Sequence, residues 1–128
     1  MEGGQTNEFR PLILVAEDDD SNFKLIKAII GKKCDIQWAK NGEEIVALFK
    51  EYGNEAKAIL MDIKMPVMDG IEALKEIKAM DPGAKVVMCS AMGQEAMVVE
   101  AIKLGALDFI VKPFKAERIL QTVKKILD

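Results

Sequence analysis

The chain has 128 residues, half of them hydrophobic, and its 18 Lys+Arg against 21 Asp+Glu leave a net charge of −3. That is one domain with enough apolar content for a sizeable core. The mild acidity speaks against nucleic-acid binding by bulk charge, and the 5% aromatic content speaks against a base-stacking surface. The sequence holds no histidine. This removes Ser-His-Asp and Cys-His catalysis, His-ligated zinc and phosphorylation on histidine within the chain.

Cys34 and Cys89 are too few for a disulfide framework in a chain of this length. Residues 1–8 are polar and lack the apolar centre of a signal peptide. No apolar stretch nears the roughly 20 residues that span a bilayer. A cytoplasmic location without membrane insertion is therefore expected. Residues 1–9 read as a flexible N-terminal tail and 10–128 as the folded domain.

In chain order, residues 12–16 form a short continuous apolar run, followed by an amphipathic stretch over 21–30 with Phe23, Ile26 and Ile30 on one face. Residues 36–39 are a second extended candidate. Residues 43–52 carry Ile45, Leu48, Phe49 and Tyr52 at helical spacing. The third strand candidate is 58–61, and 71–80 repeats helical spacing through Ile71, Leu74, Ile77 and Met80. Residues 85–89 are the fourth strand and 94–104 the fourth helix, with Gly105 as its C-cap. Residues 107–111 are the fifth strand. The last helix, 117–127, has Ile119, Leu120, Val123, Ile126 and Leu127 apolar. The alternation is (βα)5. Continuous apolar strands imply a sheet covered on both faces, hence an α/β, doubly wound, five-stranded parallel sheet. Sites in such sheets form at the carboxyl ends of the strands.

The residues at those ends carry the chemistry. Glu17, Asp18, Asp19 and Asp20 follow the first strand, Asp62 the third, Ser90 the fourth, and Lys112 and Pro113 the fifth. Clustered carboxylates repel one another unless a cation joins them, and a set of hard oxygen ligands suits Mg2+. A metal, a lysine and a hydroxyl donor together offset charge on phosphoryl oxygens, and an Asp carboxylate is a known phosphoryl-accepting nucleophile. Asp62, with a metal on one side and Lys112 and Ser90 on the other, reads as an aspartyl-phosphate site. Each residue also has a plain reading. The acidic run is usually a solvated loop, Asp19 or Asp20 caps the next helix, Ser90 is a loop hydroxyl, and Lys112 is a surface lysine. Joint placement at successive strand ends favours the site.

The motifs LILVAEDD, ILMDIKMPVMDG, MCSAMG and DFIVKPF resemble those of the receiver domains of two-component response regulators, over residues 10–127. The stand-alone, CheY-like members are the nearest type. The resemblance implies a flavodoxin-like sheet of strand order 2-1-3-4-5. It implies Glu17 and Asp18 as the acidic pair for Mg2+, Asp62 as phosphoacceptor, and the Lys64 backbone carbonyl as a further metal ligand. It also implies Ser90 and Phe109 as the switch pair and Lys112 as the phosphoryl-binding lysine. Phe109 has a plain alternative as a permanently buried core ring. The acidic pair is Glu-Asp rather than the commoner Asp-Asp, and Phe109 stands where Tyr is frequent.

By the same resemblance, the phosphoryl donor is a histidine kinase or histidine phosphotransfer protein. A downstream protein would bind the face made by the fourth helix, fifth strand and fifth helix, in a monomer that has no separate output domain. The chain would be no enzyme in the ordinary sense, beyond weak self-catalysed phosphotransfer and autodephosphorylation. A second reading is an engineered or chimeric CheY-like scaffold without a native signalling role. It arises because residues 16–22, 39–44 and 61–70 resemble receivers of hybrid kinases, whereas 89–114 resemble chemotaxis receivers. Two other classes fit less well. An FMN carrier would not place four acids at the phosphate loop. A dehalogenase-type phosphatase needs a second Asp two residues after the nucleophile, and Lys64 stands there.

Overall fold

The computed structural model describes residues 9–128, so the proposed tail lies, Phe9 apart, outside the described residues. The elements are β1 (Leu12–Ala16), α1 (Asp20–Ile30), β2 (Asp35–Ala39), α2 (Gly42–Tyr52), β3 (Ala56–Asp62), α3 (Gly70–Met80), β4 (Val86–Ser90), α4 (Glu95–Lys103), β5 (Asp108–Val111) and α5 (Ala116–Leu127). All ten fall where the apolar patterning puts them. The strands form one parallel sheet in the order β2-β1-β3-β4-β5. Among the described residues no helix is long and apolar enough to cross a membrane.

Successive strand residues point to opposite faces, and here both faces are covered. Leu14, Ala16, Ile59, Met61, Val86 and Met88 pack with Ile45 and Phe49 of α2 and Leu74 and Ile77 of α3. Ile13, Val15, Ala58, Leu60, Val87 and Cys89 pack on the other side with Ile26 and Ile30 of α1 and Ile119 and Val123 of α5. Each large side chain removed from water contributes about 1.5–3 kcal/mol before conformational entropy is charged against it. This is why unbroken apolar strands, useless to a one-faced sheet, occur here. Cys34, in the connection just ahead of β2, is buried and packs with α1.

The helical faces are narrower than the sequence spacing suggests. Met80, Leu120 and Leu127 lie at the flanks of their helices and are exposed. Gly105 sits one place beyond the α4 C-cap, Leu104, in the left-handed region at φ +105°. That is the position after the cap where glycine costs least.

Three helices begin with a capped N-terminus. Asp19, Asn41 and Asp69 accept hydrogen bonds from the N–H groups of Asn22, Glu44 and Glu72. Such a cap is worth about 1 kcal/mol. The caps pull the first turns of α1 and α3 close to the strand ends. The β3–α3 connection is held tighter still. Gly70 donates its N–H to Ile63 O at 2.7 Å, and a Cβ there would sit 2.1 Å from the carbonyl oxygen of Asp62. Within the same loop Val67 has φ +70°, while Met68 N–H reaches back to Pro66 O at 2.7 Å. A β-branched residue in that region is strained.

Two substitutions in this loop should therefore move stability in opposite directions. Gly70→Ala should cost about 1–3 kcal/mol by overpacking against the Asp62 carbonyl. Val67→Gly should gain up to about 1 kcal/mol by relieving the left-handed strain, net of added freedom in the unfolded chain. Urea denaturation of the three proteins at one pH measures both, and a stabilised Gly70→Ala would contradict the packing argument.

Candidate functional site

β1, β3 and β4 lie side by side, so their carboxyl ends bring Glu17, Asp62 and Ser90 to one edge of the sheet, and β5 adds Lys112. Glu17 is 1% exposed, Asp62 4% and Ser90 3%. Oxygens of Glu17, Asp18 and Asp62 all lie within 4.8 Å of one another, with Asp18 exposed at the mouth. Asp19 and Asp20 are not in this group. Asp19 caps α1 and Asp20 lies 3.8 Å from Lys40 Nζ, as the plain reading of the acidic run expects.

Lys112 enters differently from the sequence expectation. Its Nζ is 2.9 Å from Asp62 Oδ2 and 3.1 Å from Glu17 Oε1, so it bridges two of the carboxylates instead of standing apart from them. The ammonium is the nearest cation able to relieve their repulsion. Its main chain is fixed by Lys112 N–H donating to Ser90 O at 2.7 Å, just before a cis Lys112–Pro113 bond. Lys64, two residues beyond Asp62, has its side chain exposed to solvent.

One ammonium does not satisfy the cluster. Glu17 Oε1, though 3.1 Å from Lys112 Nζ, lacks hydrogen-bond geometry and is a buried oxygen with no hydrogen-bond partner. Burial, then the charge of Asp62, push the Glu17 carboxyl up to about 7, against the opposing pull of Lys112. Burial also raises Asp62, though its hydrogen bond and ion pair with Lys112 oppose the rise. For Lys112 itself burial disfavours the charge, but Asp62 and then Glu17 outweigh it and hold the ammonium above its ordinary value. An orphaned buried carboxylate oxygen, two further carboxylates within reach and room at the exposed Asp18 fit a hard divalent cation that keeps some of its water. Cys89, paired in register with Asp62, is buried and its thiol is pushed up by burial and by the neighbouring acids, so it is an inert core residue.

Phe109, the second residue of the edge strand β5, has 37% of its surface exposed, which the plain core-ring reading does not allow. Arg118 of α5 anchors this strand. Its Nη2 donates to Phe109 O at 2.7 Å and to Asp108 Oδ1 at 3.2 Å. α4, alongside, contributes only Ala101 to the buried core. Sequence reasoning missed Arg118 and also Trp38, whose indole N–H donates to Glu17 O at 2.8 Å. The one signal for the latter was a lone tryptophan at the end of the second strand.

The chain matches the response regulator receiver domain model over residues 13–124. It is 47% identical over 118 residues to the chemotaxis protein CheY of Bacillus subtilis, covering 91% of this chain and 97% of that one. Its identity to the CheY of Listeria monocytogenes is 48% over 115 residues, 88% of this chain and 95% of the relative. Among solved structures, the CheX–CheY–BeF3–Mg2+ complex of Borrelia burgdorferi superposes with a TM-score of 0.88 at 31% identity, over 98% of this chain and 95% of that one. The receiver domain of NtrX from Brucella abortus gives a TM-score of 0.83 at 31% identity, over 90% and 97%. This chain belongs to the response regulator receiver family. Within it, the chain is of the CheY type, and its acidic pocket of Glu17, Asp18 and Asp62 fits the phosphoacceptor site of that type. The similarity to CheY proteins runs through both halves of the sequence and favours a CheY-type receiver over a chimeric scaffold.

The electrostatics set a pH dependence. Glu17 has a folded-state pKa raised from 4.5 to about 7. Between those values the folded protein binds more protons than the unfolded chain, so metal-free stability should fall as pH rises from about 4.5 to about 7 and then level off. A divalent cation competes with that proton. Magnesium should therefore raise the melting temperature more at pH 8 than at pH 5. Thermal melts at both pH values, with and without MgCl2, measure the difference; equal increments would contradict the assignment of Glu17 to the cation site.

Proposed function

We propose that Asp62 accepts a phosphoryl group from a phosphohistidine on a partner protein, a histidine kinase or a histidine phosphotransfer protein, and that the modification is read on the α4-β5-α5 face. The observation that carries this reading is the buried Asp62 carboxylate held 2.9 Å from the Lys112 ammonium and grouped with two further acids. The Borrelia burgdorferi CheY, similar over nearly all of this chain, is solved with BeF3 and Mg2+ in its complex with CheX, which supports placing a phosphoryl-type group and Mg2+ here. Glu17, Asp18 and Asp62 side chains, with the Lys64 backbone carbonyl, would hold Mg2+. When bound, the ion offsets charge on the acids and on the phosphoryl oxygens.

An oxygen of Asp62 forms the new bond to phosphorus while the donor N–P bond breaks, and the electron pair of that bond stays with the imidazole. Lys112 neutralises a phosphoryl oxygen, a role its present contact with Asp62 prepares. Ser90, buried at the end of the neighbouring strand, donates a hydrogen bond to another. Water attack at phosphorus later returns the Asp62 carboxylate and releases inorganic phosphate, so the chain catalyses its own transfer and reset only weakly.

The output depends on two states of the β4–α4 region. If the Ser90 hydroxyl turns to the phosphoryl group, the space it leaves admits the Phe109 ring, which now stands partly exposed. The thin attachment of α4, through Ala101 alone among its fully buried residues, lowers the energy needed to shift it. A charge-assisted hydrogen bond of about 1.5–3 kcal/mol changes a two-state ratio roughly ten- to a hundredfold.

With acetyl phosphate as donor, intact mass should rise by one phosphoryl unit, only when divalent metal is present, and Asp62→Asn should stay unmodified. An equally modified Asp62→Asn protein would sink the assignment. Ser90→Ala should still be phosphorylated yet fail to propagate the change. With beryllofluoride standing in for the phosphoryl group, the amide shifts of residues 91–118 should move in the wild type and stay near their resting positions in the variant. Equal movement in both would make Phe109 a bystander.

A further inference from the structure

We infer that Trp38 is a positioning residue for the cation site, acting on the main chain between Glu17 and Asp18; the inference rests on the metal-binding reading of those acids. β2 grips Glu17 at both of its peptide groups. Glu17 N–H donates to Ala39 O at 2.9 Å, and the Trp38 indole N–H donates to Glu17 O at 2.8 Å. The second bond fixes the plane of the peptide that joins the two acidic residues. The direction of that plane sets where the Glu17 and Asp18 side chains can point.

The indole is itself held. The Phe23 ring of α1 lies parallel to it, with centroids 4.0 Å apart and an interplanar angle of 2°. The Lys40 ammonium stands 4.7 Å from the ring centroid, and Asp20 Oδ1 is 3.8 Å from that ammonium. β1, α1 and β2 are thereby joined around one acidic loop by a stacked ring pair, a cation over a ring and one directed hydrogen bond. A partly buried indole N–H needs an acceptor, and the one it takes here is the main-chain carbonyl of the loop that bears the acids. Ligands held in advance bind more tightly than ligands that must be ordered on binding.

The test uses Mg2+ alone and reads the amides of residues 17–20 by NMR at a temperature where each protein is fully folded. Trp38→Phe keeps a ring for Phe23 to stack on and removes only the donor. The variant should bind Mg2+ about three- to tenfold more weakly than the wild type, the scale of one neutral hydrogen bond. Loss of packing alone would lower the melting temperature and leave the dissociation constant unchanged, and that result would overturn the inference while the metal site stands. Failure of the wild-type amides to respond to Mg2+ would instead remove the metal-binding reading itself. If Trp38→Phe does not fold, the wild type decides the matter, because its single tryptophan gives one indole N–H signal. That signal should exchange slowly with solvent and shift with the same dissociation constant as the loop amides. Rapid exchange, or indifference to Mg2+, would overturn the inference.

Discussion

The structure is organised around a shortage of positive charge. Glu17 and Asp62 are buried at adjacent strand ends, Asp18 stands beside them, and a single ammonium, Lys112, bridges the two buried acids. Burying carboxylates costs several kcal/mol each unless partners repay it. One lysine repays part, and the orphaned Glu17 Oε1 marks what is left. A site left short of positive charge in this way favours whatever cation can enter it. On the proposed reading, it also holds Asp62 beside an ammonium that would pass to an incoming phosphoryl oxygen.

The surroundings of this cluster differ in rigidity, and the difference has a use. On one side the β3–α3 loop is locked by Gly70 and by the Asp69 cap, and the β1–α1 loop by the Asp19 cap and the grip of β2. These elements keep the acids in place. On the other side β5 is an edge strand with Phe109 and Val111 exposed, and α4 is sparsely buried with no side-chain cap on its first turn. A charge change at Asp62 meets firm walls on the side of the other two acids and yielding ones toward α4 and β5. Arg118 prevents the yielding side from coming apart, since it ties the first residues of β5 to α5.

Much of this was legible in the sequence, for a physical reason. Parallel strands covered on both faces must be continuously apolar, so LILVA and VVMC announce themselves, and the residues that interrupt each run necessarily fall at the carboxyl edge. Glu17, Asp62, Ser90 and Lys112 could be grouped on that ground alone. Side-chain direction was not legible. Nothing in the order of residues says that Lys112 reaches across to Glu17, that Trp38 turns its N–H to a carbonyl 21 positions earlier, or that Arg118 folds back over Phe109. Apolar spacing likewise overstated the buried faces of α3 and α5, because Met80, Leu120 and Leu127 sit at the flanks of their stripes. The strained φ of Val67 gave no sign either, since a valine is the residue least suited to it.

The claim on which the rest depends is that Glu17 and Asp62 share an incompletely neutralised, buried charge. Carboxyl carbon shifts of Glu17 and Asp62, followed by NMR across pH 3 to 9 with and without Mg2+, measure this residue by residue. The metal-free protein should show Glu17 titrating near 7, and saturating Mg2+ should drive that transition down toward or below the ordinary carboxylate range. A Glu17 that titrates near 4.5 in both conditions would contradict the account.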